Sequence, residues 1–88
     1  MKSTLRLKVS IKVGTAKAME KWYRDLFHAC DKKRIDVVRE LVTMEENQRR
    51  AGDWNWGAEC FDAEFITEKD DLLHRAFLLV EAAKMGKQ

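Results

Sequence analysis

The chain predicts a small α+β domain in the order βααβα, its two-stranded sheet covered by helices. Three observations carry that expectation. Leu5, Leu7, Val9, Ile11 and Val13 alternate with Arg6, Lys8, Ser10 and Lys12, giving a strand over residues 5–13 one apolar and one cationic face. Phe61, Ala63 and Phe65 alternate with Asp62 and Glu64 in a second extended segment, residues 59–66, whose polar face is anionic. The remaining apolar residues recur every three or four positions, the spacing of amphipathic helices. Side by side, the two strands would set opposite charges across from one another, which stabilises a sheet.

The first helix follows Gly14, with Thr15 as its cap, and carries Met19, Trp22, Tyr23, Leu26, Phe27 and Cys30 on one stripe. Asp31 is placed to cap a second helix with Ile35, Val38, Leu41 and Val42 inward. Glu45 with Arg49 and Glu46 with Arg50 stand four apart in the favourable order, which extends that helix to about Ala51 before Gly52 stops it. Ile35, Val37, Val38, Val42 and Thr43 also suit a strand, and the alternative order βαββα would make a ferredoxin-like half. The ion pairs and the unbranched residues downstream favour the helix.

Asp53, Trp54, Asn55 and Trp56 form a turn-rich loop between Gly52 and Gly57. After the second strand, Thr67 and Asp70 resemble a capping box that opens a final helix carrying Leu72, Leu73, Ala76, Phe77, Leu79, Val80 and Ala83, with Gly86 at its end. Nearly half the circumference of this last helix is apolar. Such breadth calls for contact with more than one partner element, one of which can belong to another subunit.

A chain of 88 residues makes a single domain, residues 1–88, too small to enclose a deep cavity beside a complete core, so binding is expected at the surface. Apolar residues at 45% and charged residues at 36% exclude a disordered chain. The longest apolar run, residues 76–80, is far short of the roughly 20 residues that cross a bilayer. With no signal-peptide core at the N-terminus, a cytoplasmic chain without membrane contact is expected. Cys30 and Cys60 lack Cys or His neighbours at metal-ligand spacing and read as buried thiols, with no metal and no cofactor expected.

Residues 1–44 carry 11 basic and 5 acidic side chains, a balance of +6, and residues 45–88 carry 6 and 10, a balance of −4. The facing strands are expected to absorb this asymmetry. His28 and His74 are isolated titratable groups outside any hydrolase, metalloprotease or phosphate-loop spacing, and Asp70 and Asp71 complement the start of a helix dipole. No catalytic residue is proposed, and a non-enzymatic chain is expected. The phrase Arg34, Ile35, Asp36, Val37, Val38, Arg39, Glu40, Leu41, Val42 resembles the second helix of an ankyrin repeat. It has no second copy and no repeat turn, and the shared feature is the amphipathic pattern alone.

The partner-binding residues expected from the sequence are Asp53, Trp54, Asn55 and Trp56, because alternate residues of an extended loop share a side and Trp is enriched at binding hot spots. At least one of the two indoles should cap the core and leave the other as an exposed anchor. These features predict a non-enzymatic protein-binding module, a small accessory or inhibitory protein acting by surface occupation, for which a virus-encoded inhibitor of a host defence complex is one example. Its partner would be another protein, with a homodimer formed through the open sheet edges. The alternative is nucleic-acid binding through Arg6, Lys8 and Lys12 on the first strand, with Lys32, Lys33 and Arg34.

Overall fold

Met19, Trp22, Tyr23, Leu26 and Cys30 lie on one buried stripe of α1 (Val13–Asp31), as their spacing requires. The computed structural model describes residues 13–86, and among them the other elements are α2 (Ile35–Arg50) and α3 (Ala63–Gly86). The regular elements among the described residues are thus all helices, with no strand, which overturns the α+β expectation in both its βααβα and its βαββα form. The strand expected over residues 5–13 lies outside the described residues up to Lys12, and Val13 opens α1. Gly14 and Thr15, read as strand end and helix cap, are both inside that helix.

The turn after α1 has a specific hydrogen-bond pattern. The Lys33 amide donates to the Cys30 carbonyl at 3.1 Å and the Arg34 amide to the Ala29 carbonyl at 2.9 Å, the paired closure of a helix C-terminus. Lys33 sits at φ 54°, a left-handed conformation usually given to glycine. Asp31 therefore ends α1 rather than capping α2, whose N-cap is Arg34 without a side-chain hydrogen bond.

The helical reading of the middle segment holds. Glu45–Arg49 and Glu46–Arg50 pair along α2 at 2.9 Å each, and the helix ends at Ala51 with Gly52 at φ 83°. Tyr23 lies 5.2 Å from Phe65 between ring centroids, and Asp31 lies 4.0 Å from Arg75. Residues later in α1 thus meet residues later in α3, so those two helices run parallel and α2 returns between them.

The second expected strand is a turn and the start of α3. The Cys60 and Phe61 amides both donate to the Gly57 carbonyl, at 2.9 and 3.2 Å. Asp62 then caps α3, accepting from the Phe65 amide through Oδ1 at 3.4 Å. Phe61 and Phe65 are two periods apart in a strand but also one turn apart in a helix, and their rings meet at 5.3 Å. Ala63, which a strand would have turned inward beside them, is exposed. The earlier start also leaves Thr67 and Asp70 inside α3 rather than at its cap.

The loop over residues 51–62 does the covering that a sheet was expected to do. It sends Trp54, Trp56, Cys60 and Phe61 into one cluster with Trp22 and Leu26 of α1, Val38 and Leu41 of α2, and Phe65 and Leu72 of α3. Each indole removes on the order of 200 Å² from water, so a loop holding two of them closes a small core without strands. Lys33→Gly should raise unfolding stability by about 1 kcal/mol, since glycine takes the left-handed turn without a Cβ clash. Chemical denaturation checks this, and a lower midpoint for the variant would show that the turn does not strain Lys33.

Candidate functional site

Residues 53–56 alternate sides as an extended segment does. Asp53 and Asn55 point to solvent, while Trp54 and Trp56 point inward and are only 6% and 8% exposed. The loop is drawn over the end of α2 because the amides of Asp53 and Trp54 both donate to the Gln48 carbonyl, at 2.9 and 3.2 Å. Asn55 Oδ1 accepts from the Gly57 amide at 2.8 Å and tightens the next turn. The two indoles do share a side, as expected, but that side is the core. Neither remains as an exposed anchor, because Trp22 takes both, at ring-centroid distances of 5.9 Å to Trp54 and 5.4 Å to Trp56.

Around Trp56 stands a polar cluster. Its Nε1–H donates to Glu45 Oε2 at 2.9 Å, and the same carboxylate accepts from Arg49 Nε at 2.9 Å. Glu45 is buried, while the Arg49 guanidinium lies half in solvent and is held charged by that hydrogen bond, its pKa raised further. Lys69 is buried on the opposite side, with Nζ 4.8 Å from the Trp56 ring centroid and 2.7 Å from Asp70 Oδ1. These residues line an open cleft of about 610 Å³ with Trp54, Asn55 and Leu73. Each charge in it is matched by a neighbour within the chain, so the cleft holds the loop in place rather than presenting an unmatched charge to a ligand. Glu45 was legible only as a helix-surface ion pair and Lys69 had no sequence signal; tertiary burial gives both their roles.

Of the basic residues singled out, Arg6, Lys8 and Lys12 lie outside the described residues. Lys32, Lys33 and Arg34 stand exposed on the α1–α2 turn, beside a groove that includes His28 and Val37. His28 and His74 are exposed on α1 and α3. Cys30 and Cys60 are both buried, and burial pushes the Cys30 thiol up, against the opposing pull of Arg75, away from the thiolate form a nucleophile needs. Burial raises the Tyr23 phenol as well, helped by Glu68.

The surface that residue-by-residue reading missed is the outer face of α3. The buried side chains of this helix are Phe65, Lys69, Leu72 and Ala76, and from residue 77 to 86 none is fully buried. Phe77, Leu78 and Met85 are 58%, 53% and 78% exposed. The signal was present as the broad apolar circumference of the last helix, which exceeds what α1 and α2 can cover. No helix among the described residues is long and apolar enough to cross a membrane. No protein-family model matches this chain, nor does any curated protein or solved structure.

Glu45→Ala should cost about 2 to 3 kcal/mol, because it leaves the buried Trp56 N–H without an acceptor. Arg49→Ala should cost less than about 1 kcal/mol, since its guanidinium is half in water. Denaturation followed by tryptophan fluorescence separates the two, and equal losses would mean that the carboxylate does not hold Trp56.

Proposed function

We propose that this chain is a protein-binding module that occupies a partner's surface with the outer face of α3. The observation that carries the reading is the exposure of Phe77, Leu78 and Met85 on one helix. A single exposed apolar residue is ordinary, whereas several on one face mark an interaction surface. Leu78 and Met85 are seven residues apart and share a direction, with Phe77 at their flank. Phe77 also borders a groove of about 440 Å³ between α2 and α3, lined by Val42, Leu73 and His74 together with the charged Glu45, Glu46, Arg49 and Asp70. An accessory or inhibitory protein would act in this way, by occupation alone.

Affinity capture from native lysate with wild-type and Leu78→Glu baits tests the reading. Proteins retained by the wild type should be lost with Leu78→Glu and kept with Lys33→Glu. Identical recovery on the wild-type and Leu78→Glu baits would remove α3 as the binding surface.

A further inference from the structure

We infer that the seam between α1 and α3 is the docking groove for residues 1–12 of this same chain, received extended and antiparallel to α1. The inference goes beyond the reading of the outer α3 face as a partner surface and does not depend on it.

Glu64, Glu68, Asp71 and Arg75 follow one another at spacings of four, three and four, and so form one row along α3. Arg75 stands 4.0 Å from Asp31 and 6.0 Å from the Phe27 ring centroid, which turns that row toward α1. The Tyr23 phenol is pushed up by burial and then by Glu68, so that carboxylate faces it. Between the two helices runs an open groove of about 200 Å³, lined by Tyr23, Phe27, Glu68, Asp71, Leu72 and Arg75.

Its two walls differ in chemistry. From α1 come the rings of Tyr23 and Phe27, the second of them 39% exposed. The acids on that side are already matched, Glu20 by Arg24 at 3.2 Å and Asp31 by Arg75 at 4.0 Å. From α3 come Glu64, Glu68 and Asp71, none of which has a cationic partner among the described residues. One wall is apolar and the other carries negative charge without a counter-charge.

Residues 1–12 have the complementary composition. Leu5, Leu7, Val9 and Ile11 alternate with Arg6, Lys8, Ser10 and Lys12, and the segment holds no acidic residue. An extended segment of this pattern has one apolar and one cationic face. Set edge-on in the groove, it lays the first on Tyr23 and Phe27 and turns the second toward Glu64, Glu68 and Asp71, with no sheet required. The long stems of Arg6 and Lys8 give the charges the reach to meet those carboxylates.

The length also fits. Phe27 lies about 21 Å along α1 from Val13, where the segment joins the helix, and residues 1–12 span about 40 Å when extended. The excess leaves room for the reversal at Val13. Since α1 and α3 run parallel, Leu7 and Leu5 then come level with Tyr23 and Phe27, and Lys8 and Arg6 with Glu64 and Glu68.

Two measurements on the full chain test this. A nitroxide attached to Ser3→Cys, which Cys30 and Cys60 do not compete for because both are buried, should broaden the amide signals of Tyr23, Phe27, Glu68 and Asp71. In a denaturation cycle, the pair Arg6→Gln, Lys8→Gln and the pair Glu64→Gln, Glu68→Gln should each raise the unfolding constant. Their combination should fall short of the product of the two effects by roughly fivefold, because residues in contact do not act additively. Broadening confined to the residues next to Val13, centred on Phe77 and Leu78, or seen only between a labelled copy and an unlabelled one overturns the proposal. So does a cycle in which the two pairs multiply without coupling.

Discussion

The hydrogen bond from Trp56 Nε1–H to the buried Glu45 carboxylate, 2.9 Å long, is the constraint on which the rest of the arrangement depends. A carboxylate removed from water must be matched by donors, and Trp56 and Arg49 supply them. Satisfying Glu45 fixes the indole over the end of α2. Its ring is then placed 5.4 Å from both Trp22 of α1 and Phe61, and 6.1 Å from Phe65 of α3. Lys69 lies over the same ring, so one side chain ties the loop to all three helices.

This arrangement also explains why the end of α3 is uncovered. The loop delivers four large or thiol-bearing side chains to the core, and α3 meets them through Phe65 and its next turns. Ala76 is the last fully buried side chain of α3; beyond it Leu79 and Val80 are partly buried against the core, whereas Phe77, Leu78 and Met85 are exposed. The same packing that closes the core from within therefore produces the apolar face offered outward.

Periodicity made α1 and α2 legible. The stripe from Met19 to Cys30 suits only a helix, and the Glu45–Arg49 and Glu46–Arg50 spacings decided α2 against its β-branched residues. Residues 59–66 misled because Phe61 and Phe65 satisfy a period of two and a turn of four alike. The deciding signal was Asp62, a helix cap when its side chain reaches the Phe65 amide and a strand residue when it does not. Trp54 and Trp56 were legible as a pair sharing one side. Which side was undetermined, since an extended loop carries its alternation wherever its ends are anchored.

Taken alone, the amino-acid order determined that helical stripes form around Trp22 and Val38, that Gly52 stops α2, that two indoles face together, and that the last helix is apolar beyond one contact. Tertiary structure decided that these indoles face inward, that Glu45 and Lys69 are interior charges, and that the uncovered face begins at Phe77. The division has a physical cause. Local spacing sets which side chains travel together, because backbone geometry is the same everywhere, whereas burial depends on which distant surface arrives first, and here that surface was Trp22.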